Sequence, residues 1–420
     1  MSHSPESIFK APKLRVLIVS SDTYPPKRVD VAVLFGEELS GRGHHFDWIL
    51  QSEAACSRSY VVDWGGGSVW VGATDLGSSL LSRIRKHTRG IIHDLRLIPL
   101  LRKTHYDFIE VKDKFISGII ALIAARLYHR KFVFWLSYPF GEDYLLRAKD
   151  GTARYPILYF IRGAVSKALL YKLLLRSADH VFVQSEQMRR DVGREGIPLE
   201  KITAVPMGIK PSTFSRSVDG ADRVLIPRGV PCFLYLGTLG KVRRLDFLVR
   251  VLALVREKLP GVMLYFIGGS DDPGDASALV QEARRLGVGD AVVMVGQLPQ
   301  SEALRYVQEA DVCVSPFFPT PVLNSTSPTK LVEYMGMGKA VVANDHPEQR
   351  LVIEQSGAGY CVPYEEAAFA AAIIELLKSP DTAALMGKRG HEYVIAQRSY
   401  ARIADRVEET FGLIAAERGK

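Results

Sequence analysis

The sequence predicts an α/β protein of two Rossmann-like domains, each built on a parallel sheet, facing one another across a cleft. Three observations lead there. Short apolar runs alternate with helical patterns along the whole chain, which is how parallel sheets covered by helices read. The runs fall into two sets separated by a segment of Pro, Ser, Gly and Asp with little periodicity. The length of 420 residues, 47% of them hydrophobic and 24% charged, suits two globular domains of about 200 residues each.

The first set of runs covers residues 14–20, 46–50, 108–111, 132–136 and 180–183. The second covers 233–236, 263–267, 291–295, 312–315 and 340–343. Residues 211–231 read as the linker. The expected domains are 1–212 and 213–395, with a closing helical segment over 396–420 that packs back on the first domain. Ligands bind at the carboxyl ends of strands in open α/β sheets, and a space between domains is a common ligand site.

Composition narrows the classes. Residues 1–210 hold 31 Lys+Arg against 21 Asp+Glu, and the remainder 23 against 25. The basic half suggests an anionic partner, which a membrane surface, a phosphorylated acceptor or nucleic acid could each supply, a solvated basic face being the plainer reading. Cys56, Cys232, Cys313 and Cys361 are too dispersed for a disulfide framework or a zinc site. A polar segment over residues 1–12 argues against a signal peptide. The longest apolar stretch, 115–125, is far shorter than the roughly 20 residues of a spanning helix, and predicts a buried helix. These features fit a cytoplasmic protein.

Chemistry concentrates in the second half. In Ser325-Thr-Ser-Pro-Thr-Lys-Leu-Val-Glu-Tyr-Met-Gly-Met-Gly338, Ser327 reads as an N-cap and Pro328 as the first helical residue. Thr329, Lys330 and Leu331 then offer backbone N–H groups to a diphosphate at the positive end of the helix. Lys330 adds a charge, and Glu333 can accept from the two hydroxyls of a ribose. An ordinary capped helix with a surface Lys–Glu pair is the plainer reading. In Leu234-Tyr-Leu-Gly-Thr-Leu-Gly-Lys-Val-Arg-Arg, Gly237 and Gly240 follow a strand, with Lys241, Arg243 and Arg244 placed to neutralise a departing diphosphate. The spacing is neither that of a P-loop nor Gly-x-Gly-x-x-Gly. Gly268-Gly269 and Gly296-Gln297-Leu298-Pro299 supply two more loops at strand ends on the same edge.

In combination these residues resemble the family 4 retaining glycosyltransferases of the GT-B fold, over about residues 14–411 and most strongly from Ala178 onward. Supporting phrases are Ser177-Ala-Asp-His-Val-Phe-Val-Gln-Ser185, Ile202-Thr-Ala-Val-Pro-Met-Gly-Ile209, Glu309-Ala-Asp-Val312 and the Glu333 helix running into Gly338-Lys-Ala-Val-Val. The resemblance implies that the second domain holds a nucleotide sugar. Glu333 corresponds to the ribose-binding glutamate, and Arg243 stands where a phosphate-binding lysine is usual. Thr329 and Lys330 lie beside the diphosphate, Gly237 near the phosphates, and Gly296, Gln297 and Leu298 along the base. Three positions depart from the pattern. Ser325 replaces a sugar-holding glutamate, Thr238 replaces an arginine, and Pro25-Pro-Lys-Arg-Val-Asp30 replaces a Gly-Gly loop.

On the acceptor side the candidates are Asp22, Arg28, Asp30, Asp113 and Lys114, together with the loop Trp135-Leu-Ser-Tyr-Pro-Phe-Gly-Glu-Asp143 that carries Glu142, carboxylates and cations in loops at strand ends, where they could orient or deprotonate a hydroxyl. Such residues more often cap helices or form ion pairs. The expected reaction moves a hexose from a nucleoside diphosphate sugar, UDP-linked or alternatively GDP-linked, to a saccharide or lipid-linked acceptor with retention. Neither a cofactor, a metal nor nucleic acid is expected to take part. A non-catalytic sugar-nucleotide binder and a GT-B-fold epimerase are the alternatives. As a helix, residues 79–105 would gather Arg85, Arg89, Arg96 and Lys103 within about 40°, suited to an anionic membrane, with Gly90 and Pro99 as interruptions. Residues 155–176, whose cations spread around the helix, read equally as a buried or interdomain helix.

Overall fold

The computed structural model describes residues 13–75, 77, 79–214 and 225–416. The N-terminal segment 1–12 and part of the expected linker lie outside the described residues. The chain divides into two compact units, one of Met1–Pro206 with Tyr400–Lys420 and one of Met207–Ser399.

In the first unit the sheet runs β3-β4-β2-β1-β5-β6-β7-β8. Its strands are β1 Arg15–Tyr24, β2 His45–Ser52, β3 Tyr60–Trp64, β4 Gly67–Gly72, β5 Phe108–Lys112, β6 Lys131–Leu136, β7 His180–Val183 and β8 Ile202–Ala204. All pairings are parallel except β3 with β4, an antiparallel hairpin at one edge. Gly65 and Gly66 turn it with φ of +59° and +76°. The sheet is buried on both faces. Leu17, Val19, Ile109, Val111, Phe132 and Phe134 meet the helices on one side, and Ile18, Trp48, Phe108, Trp135 and Phe182 those on the other.

The helix Tyr400–Ala416 completes that second layer. Its face of Tyr400, Ile403, Ala404, Val407, Phe411 and Ile414 is buried, with Phe411 against Phe108 and Phe182 at 5.0 and 5.7 Å. Arg42 ties the helix down through Asp405 and Glu408, both at 2.8 Å.

The second unit holds six parallel strands in the order β11-β10-β9-β12-β13-β14. They are β9 Cys232–Leu236, β10 Met263–Ile267, β11 Val292–Gly296, β12 Val312–Ser315, β13 Val341–Asn344 and β14 Gly359–Val362. It begins earlier than the expected boundary at 212, because residues 207–209 are bound within it. The Met207 N–H donates to Ser327 Oγ at 3.0 Å, and the Ile209 N–H to the Arg398 carbonyl at 2.9 Å.

Two helix expectations need correction. Helix Phe115–Leu127 is buried only through Ser117, Gly118, Ala121, Leu122, Ala124 and Ala125, and its other face exposes Ile116, Ile123 and Leu127. Residues 79–105 form two helices, Leu80–Asp94 and Leu97–Lys103, broken at Leu95 and Arg96. Gly90 lies inside the first helix. Pro99 sits in the first turn of the second, where its missing N–H costs nothing. Among the described residues no helix is long and apolar enough to cross a membrane.

Candidate functional site

Strands β9, β10 and β11 lie side by side, so the loops after them emerge together at their carboxyl ends. Backbone hydrogen bonds lock these loops. The Gly237 N–H donates to the Ile267 carbonyl at 2.9 Å, Gly268 N–H to Gly296 at 2.8 Å, and Leu239 N–H to Gly269 at 2.9 Å. Gly268 adopts φ +136°, and a Cβ there would stand 1.8 Å from the Gly237 carbonyl oxygen. No side chain fits, so glycine is what permits the two turns to touch. Around them opens a cavity of about 570 Å³, lined by Gly237, Thr238, Gly268, Gln297 and Lys330. Leu236, Gly240, Gly269, Ser270 and Asp271 complete the wall, and nothing in the sequence marks Ser270 and Asp271 beyond the Gly-Gly pair before them.

Lys330 enters from helix Thr329–Gly336. Its Nζ donates to Glu333 Oε2 at 2.6 Å, while Gln300 Nε2 lies 3.4 Å from the other carboxylate oxygen. Glu333 is buried. The N-cap is Pro328, with no side-chain cap, and Thr329 is the first helical residue. This corrects the sequence reading, since the Ser327 hydroxyl accepts from Met207 instead. First-turn N–H groups without a side-chain cap at the positive end of a helix suit an anion. Leu331 and Leu298 turn into the core.

Lys241, Val242 and Arg243 form a 3₁₀ turn closed by Arg244 at φ +52°. Arg243 Nε donates to Thr238 Oγ1 at 3.3 Å, and its guanidinium lies over the Phe317 ring at 5.6 Å. Lys241 and Arg243 border the loop rather than line the cavity; Ser325, buried at the end of the short helix Pro321–Asn324, does not line it either. The loop carrying Phe317 is pinned by Asn344, whose side chain makes two hydrogen bonds to its backbone at 2.6 and 2.9 Å. His346, missed in sequence, fixes the Leu323 carbonyl at 2.8 Å. Burial pushes its pKa down to about 4, so the ring is neutral at pH 7. The only cue was its place before Pro347 at a helix start.

The first unit has its own polar cluster where β1, β5 and β6 end. Lys112, the last residue of β5, is buried, with Nζ 3.0 Å from Asp22 and 3.2 Å from Asp30. Asp22 lies where the β1–β2 register shifts, and accepts from Ser20 Oγ at 2.6 Å. Arg28 grips Asp30 with two hydrogen bonds of 3.0 and 2.8 Å and donates to Ser137 Oγ at 3.0 Å. Ser137 donates through both N–H and Oγ to Asp113. Burial alone would raise the Asp30 pKa, but Lys112 and Arg28 hold it well below the usual carboxylate range. For Asp113 burial wins over Lys112 and Ser137, and pushes it up to about 6.

Four expected residues, Asp22, Arg28, Asp30 and Asp113, are thus brought together. Two are not. Lys114 is bound to Asp94 at 2.8 Å, and Glu142 pairs with Lys167 at 3.8 Å on a separate helix pair. Ser137, within the candidate loop Trp135 to Asp143, joins them, whereas Lys112 and Ser20 were missed, since a lysine ending an apolar run reads as solvated.

Two family models match the chain, "Glycosyl transferase 4-like domain" over residues 31–208 and "Glycosyl transferases group 1" over 230–379. Among curated relatives, alpha-maltose-1-phosphate synthase of Mycolicibacterium smegmatis is 26% identical over 58% of this chain and 65% of its own length. The amylovoran biosynthesis glycosyltransferase AmsK of Erwinia amylovora is 29% identical over 43% and 42%. The chain therefore spans less than two thirds of either. Sucrose-phosphate synthase from Thermosynechococcus elongatus superposes with a TM-score of 0.73 at 20% identity, covering 96% of this chain and 100% of that one. Anabaena HepE in complex with UDP-glucose does so with 0.66 at 14%, covering 95% and 100%. With two parallel-sheet units of the GT-B type and both of its halves matched, the chain belongs to the family 4-like glycosyltransferases.

Proposed function

We propose that the protein transfers a hexose from a nucleoside diphosphate sugar to a hydroxyl of a saccharide or lipid-linked acceptor, with retention of anomeric configuration. The observation that carries this reading is the glycine-walled cavity, into which Lys330 and an uncapped helix end bring positive potential beside a buried carboxylate. Loss of the diphosphate is the step that most needs charge stabilisation. Lys330, the first-turn N–H groups of Thr329 to Leu331, and Arg243 with Lys241 at the rim supply it. Glu333 holds the ribose, exchanging its bond to Gln300 for the sugar hydroxyls. The UDP-glucose in HepE supports uridine as the base, with guanosine second.

In the first unit, Asp113 and Asp22 are the groups to orient or deprotonate the acceptor, with Arg28 as an anion-binding partner. Synthesis of a surface polysaccharide or glycolipid, on the cytoplasmic side of a membrane to which the chain attaches peripherally, is the setting we propose. Relatives named for amylovoran and for alpha-monoglucosyldiacylglycerol synthesis support it.

The test is release of nucleoside diphosphate from a panel of sugar nucleotides. Glu333→Ala and Arg243→Ala should each lower turnover at least tenfold, about 1.4 kcal/mol in transition-state stabilisation. Wild-type rates in both would refute the assignment. Ser325 in place of a sugar-holding carboxylate favours one other reading, a non-catalytic sugar-nucleotide binder. Tight donor binding by calorimetry, without turnover on any acceptor extract, would decide for it.

A further inference from the structure

Helix Pro156–Ala168 carries an exposed apolar face. Ile157 is 79% exposed, and Leu158, Phe160, Ile161 and Val165 are each more than half exposed. At 100° per residue these five fall within an arc of about 160°. The opposite side is committed to helix Phe140–Lys149, where a Cβ at Gly163 would meet the Gly141 carbonyl oxygen at 2.9 Å. The apolar arc therefore cannot be turned inward. Helix Phe115–Leu127, against whose Gly118 Leu174 packs, exposes Ile116, Ile123 and Leu127. Leu80–Asp94 exposes Ile84 and Ile92 beside Arg85, Lys86 and Arg89.

Charge selects the occupant. From Gly151 to Ala178 there is no Asp or Glu, whereas Arg154, Arg162, Lys167, Lys172 and Arg176 are present. Lys167 is engaged by Glu195 and Glu142, while Arg162, whose guanidinium lies 4.3 Å over the Tyr144 ring, and Arg154, Lys172 and Arg176 in the flanking segments are exposed. A second copy of this face would set those cations against one another with no carboxylate between them, which disfavours self-association. An anionic bilayer satisfies both halves of the pattern, accepting the apolar arc at the headgroup boundary and pairing the flank with lipid phosphates.

We propose that helix Pro156–Ala168 is the element by which this protein docks on an anionic lipid surface, with Ile157, Phe160 and Ile161 inserted and Arg154, Arg162, Lys172 and Arg176 at the phosphates. The assignment rests on the proposed membrane attachment and not on the donor chemistry.

The experiment is co-sedimentation of the full chain with vesicles of equimolar phosphatidylcholine and phosphatidylglycerol, and with phosphatidylcholine alone, at low salt. Wild type should bind the anionic vesicles. The variant carrying Ile157→Glu, Phe160→Glu and Ile161→Glu should partition at least about tenfold more weakly, with unchanged circular dichroism because all three side chains are exposed. Arg162→Glu with Lys172→Glu should abolish the preference for anionic lipid. No binding by wild type, or equal binding by the apolar variant, overturns the proposal. So does a dimer, seen by analytical ultracentrifugation without lipid, that the apolar variant breaks. Release of nucleoside diphosphate, measured in parallel, separates the two readings. Lost vesicle binding with intact turnover assigns the helix and leaves the donor site standing, while the reverse sinks the donor site alone.

Discussion

Replacing Lys112 with Met keeps the aliphatic stem and removes the cation from between two carboxylates. In the wild type Nζ lies 3.0 Å from Asp22 and 3.2 Å from Asp30, at a residue 1% exposed. After the change Asp30 retains Arg28, but Asp22 keeps only the Ser20 hydroxyl and Arg28 at 3.8 Å. Breaking a buried ion pair from one side costs about 3–5 kcal/mol. Because Arg28 shares the load, about 3 kcal/mol is expected, which for a unit of this size lowers its unfolding midpoint by about 6–12 °C. The pH dependence sharpens the test. The Asp30 pKa is depressed in the folded state, so its contribution is present above the unfolded pKa of about 3.9 and is lost as pH falls through the lower folded value. The gap between Lys112→Met and wild type should be widest near pH 7 and narrow below about pH 4. Differential scanning calorimetry of the full chain, following the transition of the first unit, reads both. A midpoint within about 2 °C of wild type at pH 7, or a gap that does not close on acidification, would refute the reasoning.

Glu110 is fully buried with neither carboxylate oxygen bonded, and burial, opposed by Lys112, pushes its pKa up to about 8. The stability linked to its folded protonated form is complete below the unfolded pKa and disappears as pH rises through 8, so Glu110→Gln should stabilise the fold by roughly 2–4 kcal/mol at pH 8 and by nothing at pH 4, measured by denaturant titration. Phe411→Ala should cost about 3–5 kcal/mol and lower the transition of the first unit, although the residue lies beyond the whole second unit in sequence, because its ring packs on Phe108 and Phe182. In Gly268→Ala the new Cβ must displace the Gly237 carbonyl, which separates the two turns, so sugar-nucleotide affinity by calorimetry should fall at least tenfold, about 1.4 kcal/mol.

The runs that predicted the fold were readable because a strand of a parallel sheet is buried on both faces and admits no polar alternation. Phe233 to Leu236 is buried at every position, as is β5. Where that physics is absent the sequence was silent. The β3–β4 hairpin is half exposed at an edge, β8 has three residues, and β14 opens on a glycine. The glycine loops of the cavity were legible for a different reason, since glycine after an apolar run marks close backbone approach. The polar cluster was not, because it depends on which strand ends lie next to one another. Nothing in the chain around Lys112 says that β5 sits beside β1 and so brings Lys112 to Asp22 and Asp30.

The same limit explains why the role of the exposed helix stays open in the sequence. Periodicity yields the arc occupied by Ile157, Phe160 and Ile161, but a helical wheel does not say which arc a neighbour covers. Gly141 and Gly163 decide that, by allowing two helices to approach on the side away from those residues, so what read as an ambiguous basic helix becomes a surface with a fixed outward face. The excess of cations in the first half then has a location. Glu142 and Glu195 hold Lys167, and Asp94 holds Lys114, so local carboxylates neutralise the inner cations while the outer ones stay available to an anionic partner. If docking were driven by net charge alone, raising salt would abolish vesicle binding and the three glutamate substitutions would matter little beyond their charge. If the apolar arc inserts, binding should persist partly at a salt concentration where the Debye length has shrunk to about 3 Å, and exchanging Phe160 for Ala should still weaken it.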